Sequence, residues 1–258
     1  MSSQARGAAL VTGAGRRIGK VLALEAARAG YDVAVHHRAS ADEALETARA
    51  VRALGRRAVL VRADLSDEDE TRGLIAQISK GEAADTIGPV TLLINSASAF
   101  EDDRVGGLSR DTWDLHLETN LRAPIVLAEA FAAALPEDAQ GLVVNIVDQR
   151  VLRPNPQFFS YSLAKAGLWW ATQTLAQALA PRVRVNAIGP GPTLPSVHQA
   201  PGEFEAEAAG VLLQRRVTPD ELAGALRYLI DARSVTGQMI AVDGGQHLAW
   251  QTPDIVAP

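Results

Sequence analysis

Cysteine is absent from all 258 residues. That excludes disulfides, thiolate metal sites and thiol nucleophiles, and it leaves the redox compartment open. Long apolar runs are missing too. Nothing approaches the ~20 apolar residues of a membrane span. The stretch MSSQARGAALVTGAG has four apolar residues in a row, Ala8–Val11, too few for a signal-peptide core. A dense Lys/Arg run is also lacking and the net charge is −5, so nucleic acid and anionic membranes are poor partners. There is no Pro-, Gly- or Ser-rich linker, repeat or low-complexity segment. The expectation is one cytoplasmic domain over 1–258, without a metal site, in which 47% apolar residues supply one large core.

What is present alternates. AALV (8–11), DVAVH (32–36), AVLVRA (58–63), VTLLIN (90–95), LVVNIV (142–147), VRVNAI (183–188) and MIAVD (239–243) are short Val-rich runs, apolar on both faces. They suit a parallel sheet covered on both sides. Between them lie helix-length segments. Residues 18–30 and 41–55 each end in Gly, 111–135 carries Pro124 near its middle, and 159–180 stops before Pro181. The pattern predicts a single-domain, doubly wound α/β fold of the Rossmann type, with about seven strands. The irregular stretch from 189 to 216, rich in proline in its first part, comes after a strand and is expected to form a substrate-side loop at the carboxyl end of the sheet. A surface insertion without function is the other reading of it.

The turn VTGAGRRIGK comes directly after the first strand. Gly13, Gly15 and Gly19 let the backbone turn tightly and approach a phosphate pair at a helix N-terminus. An acid after the second strand would bind the 2′-hydroxyl of NAD, but Asp32 precedes that strand. The strand ends instead in His36-His37-Arg38-Ala39-Ser40. Arg38 and Ser40, with Arg17 on the facing turn, suit a 2′-phosphate and hence NADPH. Asp64 either hydrogen-bonds the adenine amino group or caps a helix starting near Ser66.

These residues, with NSAS (95–98), Asn120, YSLAK (161–165), VNAIGPG (185–191) and VDGG (242–245), resemble the short-chain dehydrogenase/reductase family over nearly the whole chain. Two positions depart from that family's usual pattern: Arg17 stands where Gly is usual, and Asp148 where the catalytic Ser stands. Together with HHRAS and NSASAF they resemble the pteridine and dihydromonapterin/dihydrofolate reductase branch. The resemblance implies NADPH contacts from Gly13, Arg16, Arg17, Ile18, His37, Arg38, Ser40, Asp64, Leu65, Asn95, Ser96, Ala97, Ser98, Tyr161, Lys165, Pro190 and Gly191. It implies an Asp148–Tyr161–Lys165 proton-handling set. It also implies a pterin slot with Phe100 as one wall, touched by Ser98, Asp148, Tyr161, Pro192 and Leu194.

Tyr161 and Lys165 lie one helical turn apart. A nearby ammonium is expected to lower the phenol pKa from about 10, and Lys165 can bind the nicotinamide ribose. Asn120 would hold a water that passes protons to Lys165; otherwise it is a polar residue bending a helix. Asp148 is the telling residue. Carbonyl reduction makes an alkoxide, which an ionised carboxylate ~4 Å away would oppose by roughly 4 kcal/mol at an effective dielectric near 20, about three decades in rate. Either Asp148 is protonated or the acceptor is not a ketone. Reduction of a C=N bond needs a proton on nitrogen, and a pterin also offers N–H groups to a carboxylate. A third possibility is that Asp148 turns away to bind backbone or Arg150.

The leading reading is therefore NADPH-dependent reduction of a pterin-like substrate. The competing readings are a carbonyl reductase of the same family and a non-catalytic NADPH sensor. Adjacent Trp169 and Trp170 point about 100° apart on a helix. One is expected to pack on the sheet and the other to meet a second copy, in a homodimer or homotetramer.

Overall fold

The computed structural model describes residues 6–80, 87–196 and 198–250, so Val197 of the predicted loop and both chain ends lie outside it. Seven parallel strands form one sheet in the order β3-β2-β1-β4-β5-β6-β7. They are β1 (Ala8–Val11), β2 (Asp32–His37), β3 (Ala58–Arg62), β4 (Val90–Asn95), β5 (Gly141–Ile146), β6 (Val183–Pro190) and β7 (Met239–Val242). All seven apolar runs are strands. The order reverses between β1 and β4, the crevice where such sheets bind ligands.

Alternate residues of each strand face opposite sides, and the core divides accordingly. Ala9, Val11, Val33, Val35, Ile94 and Val144 meet helices α1 (Arg17–Arg28), α2 (Ala41–Ala53) and α8 (Pro219–Asp231) through Leu22, Ala48 and Leu226. Ala8, Leu10, Leu93 and Val143 meet α3 (Glu68–Lys80), α5 (Ala123–Ala134) and α6 (Phe159–Leu179) through Leu74, Leu127, Phe131 and Ala176. Two covered faces explain why the central strands lack polar alternation. Asp32, at the start of β2, is buried and paired with Arg56 and Arg57, at the opposite end of the strand from the crevice.

Three boundaries differ from expectation. The segment 111–135 is not one helix: α4 (Arg110–Leu117) passes into a π-helical turn, Glu118–Arg122, before α5 begins. Pro124 has no N–H, so the α-helical donor to the Asn120 carbonyl does not exist. The ladder widens there, with the Ala123 N–H donating to Glu118 O. Part of 189–216 is ordered structure. Gly189 and Pro190 finish β6, and Glu203–Ala209 forms α7 after Gly202, whose φ is +86°. The helix after Asp64 starts at Glu68, and its cap is Asp67, which accepts the N–H groups of Asp69 and Glu70. Asp64 instead accepts from the Ser66 N–H and hydroxyl.

Among the described residues no helix is long and apolar enough to cross a membrane.

Candidate active site

The glycine turn is held from below by two residues outside the expected set. Thr12 Oγ1 accepts the N–H groups of Ser96 and Ala97, 2.9 and 3.0 Å away, tying β1 to the segment after β4. His36 accepts the Gly13 N–H at Nδ1 (3.0 Å) and pairs its Nε2 with Ala63 O (3.1 Å). Burial lowers its pKa to about 4, so the ring is neutral and Nε2 carries the proton. Thr12→Val removes the acceptor for two backbone donors. It is expected to cost about 1–3 kcal/mol and to weaken cofactor binding, read by thermal melts with and without NADPH; an unchanged melt would refute the role.

The cofactor residues expected from sequence separate into those around the crevice and those turned elsewhere. A Cβ on Gly15 would lie 3.0 Å from Ser40 Oγ, so that hydroxyl borders the turn. His37 is 9% exposed, and its buried Nδ1 has no hydrogen-bond partner among the described residues. Arg38 extends largely into solvent, with Asp64 4.0 Å away. Arg16 is exposed at the N-cap of α1, and Ile18 packs partly against the core. Leu65 belongs to the core, and Asn95 Nδ2 donates to Asn145 Oδ1 at 2.8 Å. Their side chains serve packing. The Ser98 hydroxyl donates to the adjacent Ala99 carbonyl.

Arg17 departs from expectation. Its guanidinium donates to Pro195 O (2.9 Å) and Leu194 O (3.3 Å) rather than standing free beside Arg38 and Ser40. Its φ of +54° swings it that way. The glycine turn is thus tied to the substrate-side loop. That loop is anchored further by the Gly191 N–H on Val242 O and the Val217 N–H on Pro192 O.

Asp148, Tyr161 and Lys165 do come together. β5 delivers Asp148 just beyond its last residue, and the first turns of α6 deliver the other two. Asp148 Oδ2 accepts the Tyr161 hydroxyl at 2.8 Å, and Oδ1 accepts the Arg150 N–H at 2.9 Å. The carboxylate therefore meets both the phenol and the backbone. Lys165 Nζ donates to Ile146 O at 2.8 Å and stands 5.7 Å from the Tyr161 ring centroid.

The electrostatics run against the sequence expectation for Tyr161. Its pKa is raised well above 10, first by burial and then by the Asp148 charge and hydrogen bond; the cation that opposes this is Arg150. The Lys165 ammonium is spent on a backbone carbonyl, and burial lowers its pKa to about 8. Burial likewise raises Asp148, with Arg150 opposing. Tyr161 is thus a protonated acid hydrogen-bonded to Asp148, not a phenolate.

Asn120 uses its side chain on the Ala99 peptide: Oδ1 accepts the N–H (2.9 Å) and Nδ2 donates to the carbonyl (2.8 Å). That grip fixes the segment carrying Phe100. The side chain is occupied, so a water held at Asn120 would have to use the carbonyl that Pro124 leaves without its α-helical donor. The same segment is clamped again through buried groups. His116 Nε2 accepts the Glu101 N–H, His116 Nδ1 meets Ser160 Oγ at 2.7 Å, and Ser160 Oγ donates to Asp103.

Phe100 does not stand alone as a wall. It stacks on Phe158, with centroids 4.1 Å apart and planes 11° from parallel, and meets Tyr161 edge-on at 4.7 Å. His198 Nε2 lies 2.8 Å from Phe100 O. Phe158 precedes α6 with φ +52°, a backbone region that bulky side chains rarely adopt. Neither composition nor periodicity marks Phe158, Arg150 or His198, because their roles come from three separate segments meeting.

A glycine cradle at the switch point of a parallel sheet, with a Tyr–Lys pair beyond the neighbouring strand, defines a dinucleotide-binding α/β protein of the oxidoreductase type. The family described as enoyl-(acyl carrier protein) reductase matches residues 13–247. The chain belongs to the short-chain dehydrogenase/reductase family. It is 52% identical to FolM alternative dihydrofolate reductase 1 from Brucella canis, crystallised with NADP, covering 99% of this chain and 100% of that one at a TM-score of 0.92. The Brucella suis FolM, also with NADP, is 52% identical at a TM-score of 0.91, over 97% and 99% of the two chains. The 3-oxoacyl-[acyl-carrier-protein] reductase of Synechocystis sp. is 32% identical over 92% of this chain and 95% of that protein.

Proposed function

We propose that the protein is an NADPH-dependent reductase of C=N bonds in a pterin-like substrate. The observation that carries this is the Asp148–Tyr161 hydrogen bond beside the Phe100 ring. Its similarity to the two FolM proteins supports the same reading. The residues fit a dinucleotide with a 2′-phosphate: the glycine cradle has the Ser40 hydroxyl at its edge, and β2 ends beside it at His37, followed by the exposed Arg38. NADPH, when bound, supplies the hydride. Tyr161 delivers its proton to the substrate nitrogen. Asp148 orients the phenol until then and accepts N–H groups of the heterocycle. Lys165 holds a positive charge behind them.

The test is NADPH oxidation with dihydrobiopterin, dihydromonapterin and dihydrofolate beside a panel of ketones, for the native protein and Asp148→Ser. Pterin turnover that collapses in the variant supports the proposal. Ketone turnover alone, kept or improved by Ser, replaces it with the second reading, a carbonyl reductase. The relationship to 3-oxoacyl reductases favours that alternative, and a protonated Asp148 would then serve as a neutral donor.

The Lys165 pKa of about 8 predicts a pH limit. Turnover should fall as pH rises through about 8, as the ammonium is lost; a profile flat to pH 10 would contradict this. Unfolding does not explain such a fall. A lysine whose folded pKa lies below its unfolded value of 10.5 penalises the fold below about 8, and that penalty is relieved between about 8 and 10.5.

Assembly is proposed through α6. Trp169 packs on the sheet beside Val147 and Ala187, while Trp170 is 67% exposed in an apolar groove with Leu121, Ile125 and Leu175. Trp170→Glu is expected to shift a dimer or tetramer toward monomer in light scattering, and an unchanged mass would exclude this face.

A further inference from the structure

We propose that Arg150 recognises the substrate, donating from its guanidinium to an oxygen acceptor carried by the flat heterocycle, either a ring carbonyl or a tail carboxylate. This deepens the pterin reading and rests on it.

Arg150 sits in the short 3-10 turn Gln149–Val151, with its own N–H bound to Asp148 Oδ1. Its backbone is thereby locked to the acid. The guanidinium carbon lies 5.1 Å from the Phe158 centroid and 5.8 Å from the Phe100 centroid, while the two centroids are 4.1 Å apart. A cation capping the pair from outside would be far closer to one ring than to the other. Nearly equal distances place it alongside the stack, where it meets the edge of any flat molecule lying parallel to these rings.

Nη1 of this guanidinium is buried and has no hydrogen-bond partner among the described residues. A buried charged donor without an acceptor is disfavoured. Two phenyl rings, which offer no acceptor lone pair, flank the guanidinium, and Asp148 already accepts the Tyr161 hydroxyl and the Arg150 backbone N–H. A ligand that brings an oxygen acceptor to this edge satisfies the donor. The planar fork of Arg suits an in-plane carbonyl or carboxylate oxygen. The competing role is purely internal: Arg150 packs on the rings and steadies Asp148.

Calorimetric binding to the NADP⁺-loaded protein separates these roles, using three probes. Dihydrobiopterin carries the ring oxygen without a carboxylate, dihydrofolate carries both, and a tail-free 2,4-diaminopteridine carries neither. Arg150→Leu is measured beside Arg150→Lys, which keeps the charge and guards against a folding defect; melting temperature and NADPH affinity verify both. Loss of about 10- to 100-fold for both oxo ligands, with the diamino ligand within about threefold, assigns the ring carbonyl. The same loss confined to dihydrofolate assigns the tail carboxylate. Equal change for all three probes, or any other pattern, overturns the inference while leaving the pterin reading intact. If the native protein binds none of the three, the pterin reading itself fails and this inference falls with it.

Discussion

Tyr161→Phe is expected to lower kcat by about three orders of magnitude, in the range by which a positioned general acid acts, while NADPH affinity stays within a few-fold. The hydroxyl lies buried, 2.8 Å from Asp148, and Lys165 reaches a backbone carbonyl rather than the phenol. The substitution keeps the ring, so its edge contact with Phe100 survives. What it removes is the proton, and it also leaves Asp148 with one bonded oxygen in a buried site that already raises its pKa. Asp148 should therefore be neutral to higher pH in the variant, and the residual rate should track that titration. Stopped-flow NADPH oxidation checks both points. A residual rate above a tenth of native would mean another group donates the proton.

Gly19→Ala is expected to abolish NADPH binding, raising Kd more than about a hundredfold, and to destabilise the fold by several kcal/mol. A Cβ there would lie 2.2 Å from Gly13 O and 2.8 Å from Gly13 C. Those atoms are backbone, and Gly13 is itself held at φ +64° by the His36 contact. No rotamer change relieves the clash, so α1 must separate from the turn. Overpacking of this kind typically costs about 1–3 kcal/mol even where side chains can yield, and here none can. Fluorescence titration with NADPH and a thermal melt give the two readouts. Binding within about threefold of native would mean that the helix shifts without disturbing the cradle.

Much of the scaffold was legible from local pattern. Seven apolar runs became seven strands, and the glycine turn was placed correctly because its spacing reports a backbone constraint. Pairing Asp148 with Tyr161 was legible as well, since both elements end at the same edge of the sheet. The misread features depend on competition between groups distant in sequence. Arg17 offered a charge for a phosphate, but its left-handed backbone aims it at Leu194 and Pro195. Lys165 offered a charge for Tyr161, but the Ile146 carbonyl accepts its N–H and Asp148 lies nearer the phenol.

The amino-acid order by itself determined the doubly wound sheet, because strand-length apolar runs between helix-length segments have few other ways to bury both faces. It also determined the chemical inventory of the site: one acid, one phenol, one amine and a glycine cradle. Tertiary structure alone decided the protonation state of Tyr161, the occupation of Asn120 by the Ala99 peptide and the meeting of Phe100, Phe158 and Arg150. Those outcomes turn on burial and on separations of a few ångströms between segments far apart in the chain. Both quantities exist only once the chain has closed on itself.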